Sequence, residues 1–148
     1  MKKKGLAAVL TLVCLFSQPV QAQEIQSNVI ELTYEEAQEL MQIAWCEAGN
    51  QGQLGQQYVM SVVINRVKSP EFPDNVHDVI YQLHQFATSG MSKAEITVDT
   101  HLALAEIEKG NVFSDIVAFE TTKSKKLEKY FSEAYSVGDH TFYTLKNN

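Results

Sequence analysis

Glu47 occupies a place in the chain where a protonated carboxyl group is expected. It follows Leu40 by seven residues and Ala44 by three, so on a 3.6-residue period it projects from the apolar side of the segment YEEAQELMQIAWCE, at that segment's carboxyl end. Apolar neighbours strip water from a carboxylate and the negative end of a helix dipole repels it, so both favour the neutral acid. A carboxylic acid that keeps its proton near neutral pH can protonate the leaving oxygen of a glycosidic bond. Periodicity leaves a plainer alternative open, in which Glu47 frays into solvent at a helix end.

Other reactive side chains are less well placed. Cys46 adjoins Glu47, but an unpaired cysteine on an apolar helix is ordinarily a packing residue, and no matching Cys, His and Asn arrangement accompanies it. Four histidines, His77, His84, His101 and His140, raise the possibility of a zinc site. Their spacing offers no HExxH or closely paired ligand set, so no metal or other cofactor is expected. A hydrolase that adds water would ordinarily pair its acid with a second carboxylate. Asp74, Asp78, Asp99 and Asp139 are available, and nothing in their spacing singles one out. Arg66, the one arginine of the chain, ends an apolar run and is expected to pair with a carboxylate or cap carbonyls.

The elements that must carry these residues follow from capping and periodicity. Thr33 and Glu36 have the spacing of a capping box, and Ala37, Leu40, Met41, Ala44 and Trp45 continue it, which predicts a helix over 34–47. Gly49 stands where a left-handed terminating residue is usually found. From Leu54 to Val67 the apolar residues surround a helix on nearly every side, the mark of a central, buried one; a strand through VMSVVIN is the competing reading. The prolines at 70 and 73 require a turn, followed by a short helix over 75–81 and a loop over 82–90. A helix over 98–109 turns Ala103, Leu104 and Ile107 inward and stops at Gly110. Strands are expected at 116–119 and 141–145, on either side of a lysine-rich stretch. The sum is a mostly helical α+β domain.

Residues 1–22 read as a secretory signal peptide: Lys2, Lys3 and Lys4, an apolar run from Leu6 to Phe16, and small residues at Val20 and Ala22. Export to a periplasm or extracellular wall follows, a retained amino-terminal anchor being the alternative. No stable membrane span is expected after cleavage, and Cys14 leaves with the signal. Residues 23–32 are polar and patternless, a flexible tether, and 33–148 form one domain. Cleavage would remove three of the twelve basic residues and leave nine against eighteen acidic ones, a charge of about −9. Such acidity argues against a nucleic-acid partner and against electrostatic capture by an anionic wall. With Cys46 alone remaining, no disulfide can form within the exported chain.

The stretch from Ile43 to Phe86, IAWCEAGNQGQLGQQYVMSVVINRVKSPEFPDNVHDVIYQLHQF, resembles the SleB-type cell-wall hydrolase family, known from spore-cortex lysis. The family's EA-x-G-E, GQ, NRV, S-P-x-F-P, V-I-Y and Q-F elements appear in order as Glu47-Ala48, Gly55-Gln56, Asn65 to Val67, Ser69 to Pro73, Val79 to Tyr81 and Gln85-Phe86. GDHTFY, from Gly138 to Tyr143, resembles the closing G-N-H-x-F-Y, and the middle third of the domain carries the weakest likeness. The resemblance implies a lysozyme-like fold acting between N-acetylmuramic acid and N-acetylglucosamine, with Glu47 as catalytic acid in a lytic transglycosylation. It further implies that Gln85 and Phe86 line the sugar groove, the amide bonding an N-acetyl group and the ring stacking on a sugar face; for Phe86 a core position stays equally open. Tyr81 and Tyr143 are expected as hydrogen-bonding walls of that cleft, with a core position and the hydroxyl at its rim as the alternative, and His140 either positions substrate or bonds a turn backbone. The chain departs from the pattern where the family's second glutamate falls on Gln51 and its glycine on Asn50. A neutral amide cannot transfer a proton as a carboxylate does, which keeps alive a noncatalytic glycan-binding module; a zinc amidase cutting between glycan and stem peptide, a form wall hydrolases often take, is the other alternative. A separate wall-binding domain is not visible, so targeting by a partner protein is a further expectation.

Overall fold

The computed structural model describes residues 29–146; the signal segment and most of the tether lie outside them. The end of the tether packs on the domain, with Ile30 and Leu32 against the core and the Ile30 N–H donating to Glu108 O at 3.0 Å. Helix α1, Tyr34–Ala48, starts at the expected capping box: Thr33 accepts from the Glu36 N–H while the Glu36 carboxylate accepts from the Thr33 N–H. Its buried side is Leu40, Met41, Ile43, Ala44 and Ala48.

Gly49 corrects one expectation. It is right-handed, with φ −58° and ψ −29°, and leads into a short 3₁₀ turn, Gly49–Gln51. A Cβ at Gly49 would sit 3.2 Å from Cδ1 and Nε1 of Trp45, so the glycine serves close approach to the indole rather than reversal of the chain. The left-handed residue is Gly52, with φ +66°. It opens α2, Gly52–Lys68, which begins earlier than the apolar run alone suggested.

α2 is the axis of the molecule, packed against α1, α3 (Val76–Ile80), α4 (Val98–Glu108) and the first strand. Val59, Met60, Val62 and Val63 are fully buried, which rejects the strand reading of this segment. Burial of such side chains contributes about 1.5–3 kcal/mol apiece. Its polar residues act as ties. Gln56 Oε1 accepts from the Thr100 hydroxyl at 2.7 Å, joining α2 to α4. Gln57 Nε2 donates to Asn111 O, and Asn65 Nδ2 donates to Phe113 O and Ile116 O, fastening the approach to the sheet.

The sheet comprises β1, Ile116–Thr121, β2, Phe131–Val137, and β3, His140–Leu145, antiparallel in the order β1-β3-β2. β2 was not expected from the sequence. It is an edge strand exposed along both faces, so no apolar alternation announces it. β3 is central, with His140 paired to Thr121 on one side and to Val137 on the other. Phe142 and Ile116 join Val62 of α2 in a second core cluster beneath the sheet.

Candidate active site

Glu47 emerges from the last turn of α1 toward the loop after α3, beside a seam where that loop and the turn after α1 meet the sheet. Its side chain is half-buried, and its Oε1 accepts a 2.7 Å hydrogen bond from the Ala87 N–H, in the loop after α3. Burial raises the pKa of the carboxyl above its ordinary value, and the Ala87 hydrogen bond works against the rise. Since an N–H donor already occupies Oε1, Oε2 is the oxygen free to hold the proton and present it. Cys46 is driven the same way, first by burial and then by Glu47, so its thiol stays protonated and packs near Gly90.

From Ala87 a line of rings crosses the seam. Phe86 lies 6.1 Å from Phe119 of β1, and Phe119 lies 4.9 Å edge-on from His140 of β3, centroid to centroid. His140 Nδ1 is 3.1 Å from Gln51 Nε2, in the 3₁₀ turn four residues past Glu47, which closes the circuit. Gln51 Oε1 accepts from the Asp139 N–H at 3.1 Å. Gly138, with φ +56°, passes so close that a Cβ there would collide with Gln51. The turn after α1 is thus locked to the β2–β3 hairpin by the amide that stands where a glutamate was expected. Burial lowers the pKa of His140, with Asp139 opposing the shift, so the imidazole is neutral near neutral pH.

Beneath Phe86 lies Arg66. It is buried, its Nε donates to Val117 O at 2.6 Å, and its guanidinium sits 5.1 Å from the Phe86 centroid and 4.9 Å from that of Phe72. The expected carboxylate partner is absent among the described residues; the carbonyl and the two ring faces hold it instead, and burial lowers its pKa to about 10. Gln85, exposed, joins Arg66, Phe119 and Glu120 around a cavity of about 370 Å³ on the same side. A cavity of about 630 Å³ lies instead between Asn65, Lys68, Pro70 and Leu145 and includes none of the expected site residues.

A cell wall hydrolase family model matches residues 50–143. The chain belongs to the cell wall hydrolase family. Glu47 stands just ahead of the matched span. No curated protein sequence matches the chain. Among solved structures, it is similar to the catalytic domain of the germination-specific lytic transglycosylase SleB from Bacillus anthracis, with TM-score 0.65 and 19% identity over 76% of this chain and 97% of that one. It is also similar to the catalytic domain of the Bacillus cereus SleB protein, with TM-score 0.62 and 22% identity over 80% of this chain and 98% of that one. These likenesses bear out the lysozyme-like α+β fold.

In this cell wall hydrolase the remaining expected residues separate. Phe86 packs on the core, its ring 6.1 Å from that of Phe119. Tyr81 is 49% exposed and lies against His77, 4.6 Å between centroids, with no contact to the ring line. Tyr143 is a correction: it is fully buried, and its hydroxyl donates to Glu120 Oε1 at 2.8 Å, so no surface of it is left to wall a cleft. Burial, then Glu120, pushes its pKa up to about 12. The histidines lie apart: His77 bonds Glu39, His84 is in a loop, His101 is on α4 and His140 on β3. Among the described residues no three His, Cys, Asp or Glu side chains gather into a metal-binding group, and no helix is long and apolar enough to cross a membrane. Ala87 and Phe119 were missed, because a backbone N–H has no sequence signature and IVAF reads as any buried strand.

Proposed function

We propose that this protein is an exported peptidoglycan glycosidase that cleaves between N-acetylmuramic acid and N-acetylglucosamine as a lytic transglycosylase, with Glu47 as acid and then base. The observation that carries the reading is the half-buried Glu47 carboxyl, its pKa raised by burial and its Oε1 bonded to the Ala87 N–H at the head of an aromatic seam. In this reaction the Glu47 proton passes from Oε2 to the glycosidic oxygen as the bond from that oxygen to the muramic anomeric carbon breaks. The resulting carboxylate takes the proton of the muramic 6-hydroxyl while its oxygen bonds to the anomeric carbon, giving the 1,6-anhydro product and restoring the acid. No second carboxylate is needed, in keeping with the amide at Gln51, whose polar atoms are spent on Asp139 and His140. Gln85, Phe86 and His140 contact the glycan in this reading. The acidic chain finds the wall by shape and stacking, or through a protein partner.

The decisive experiment is mass spectrometry of muropeptides released from purified peptidoglycan, with chelator present, by residues 23–148 and by the Glu47→Gln variant. Anhydro-muropeptides from the wild type, with release reduced about 10²–10⁴-fold in the variant, are expected. Reducing-end products would replace the transglycosylation with hydrolysis, and intact strands that nonetheless bind would make the protein a glycan-binding module.

A further inference from the structure

The seam contains one hydrogen-bond pair whose polarity follows from its neighbours. The Asp139 backbone N–H is only a donor, so the side-chain atom of Gln51 facing it must be the carbonyl oxygen, at 3.1 Å. The atom facing His140 is then the Gln51 amide nitrogen, also only a donor, and Nδ1 of His140, 3.1 Å away, must accept. A neutral imidazole that accepts at Nδ1 carries its proton at Nε2. His140 is 7% exposed, and its Nε2 has no hydrogen-bond partner among the described residues. The ring is held between Phe119, 4.9 Å away, and Phe142, 6.1 Å away, and the missing side chain of Gly138 makes the space that the Gln51 amide fills.

We propose that Gln51 is a positioning residue that fixes His140 as the Nε2–H tautomer, making it a neutral hydrogen-bond donor for a carbonyl oxygen of the glycan, the N-acetyl oxygen being the acceptor of right chemistry. The proposal rests on the glycan-cleaving reading for its ligand but not for its tautomer. A carboxylate at position 51 would accept from the Asp139 N–H equally well. Its other oxygen, however, would demand a proton at Nδ1, and a neutral ring would then offer a lone pair at Nε2 where the substrate requires a donor. The amide is therefore matched to a neutral donor histidine. Asp139 is the charged group beside this ring in the electrostatics of the site, and it is present whichever residue occupies position 51.

The test is nitrogen NMR of His140 at about pH 8.5, above the ordinary imidazole pKa, in the Glu47→Gln protein with and without Gln51→Glu. The same pair is titrated with a soluble peptidoglycan tetrasaccharide. Expected are the shifts of an Nε2–H tautomer in the parent, an exchange to Nδ1–H or to the doubly protonated ring on Gln51→Glu, and about tenfold weaker binding wherever the Nε2 proton is lost. A merely structural role for Gln51 would not move the tautomer. An Nδ1–H ring in the parent, which needs no variant to observe, overturns the proposal. So does unchanged affinity after the tautomer has switched. Should the wild type bind the tetrasaccharide as described but release no products from strands, the catalytic reading fails and this one stands.

Discussion

At the scale of single residues the proposed chemistry turns on a carboxyl whose pKa is raised by burial. Because the folded pKa of Glu47 is raised, its protonated form adds stability that is complete below the unfolded pKa and is lost as pH rises through the folded value. Glu47→Gln should therefore melt above the wild type by a few degrees at about pH 8, with the gap closing near pH 4. Equal melting temperatures at both would mean a fully solvated carboxyl. The same raised pKa places the alkaline fall in strand cleavage above the ordinary carboxylate range, a limb read directly from a pH–rate profile. Tyr143 makes the opposite kind of prediction. Its hydroxyl is one of several donors to Glu120, a carboxylate whose burial is outweighed by hydrogen bonds from Ser124, Tyr143, Leu127 and Lys126, so that its pKa is lowered. Tyr143→Phe should cost about 1.5–3 kcal/mol in denaturant titrations and leave KM for glycan strands unchanged. A raised KM at unaltered stability would return Tyr143 to the groove.

At the scale of elements, the turn after α1 is pinned to the β2–β3 hairpin through Gln51, and the proposed site depends on that tie. Gly138→Ala meets both a positive φ and the Gln51 side chain, and should destabilise by about 1–3 kcal/mol while also weakening glycan binding, since His140 moves with the hairpin. Thr33→Ala, at the far end of α1, should cost about 1 kcal/mol of stability and leave binding alone. The contrast between these variants tells how much of the legibility of this chain was local. Capping and period located α1 and α4 within a residue or so, because Thr33, Glu36 and Gly110 act on their own neighbours. β2 escaped because an edge strand with polar faces is made by its partner β3, not by its own pattern. Gly49 was misread because the tertiary position of the Trp45 ring, not the backbone, demands the glycine. The proposed acid, Glu47, could be picked out from the sequence, whereas the Ala87 N–H bonded to it and the crossing through Phe119 exist only once α1, the loop after α3 and β1 have met.

At the scale of the molecule, the chain carries a net charge of −6. An acidic enzyme and an anionic wall repel, so raising salt from about 10 mM to about 100 mM should speed strand cleavage a few-fold by screening that repulsion. A slowing instead would reveal a cationic capture face. The core that resists this self-repulsion is organised around α2, and at its end Arg66 is sealed between Phe72 and Phe86. It is also the chain's one arginine. An arginine-specific endoprotease therefore has a single peptide bond to cut, and that bond lies in the last turn of the central helix, accessible only when the domain opens. Nature has in effect given the protein an internal seal whose breakage yields two fragments of defined length. Brief exposure to such a protease across a denaturant series would count unfolded molecules directly, in crude extract or on the wall itself, without a label.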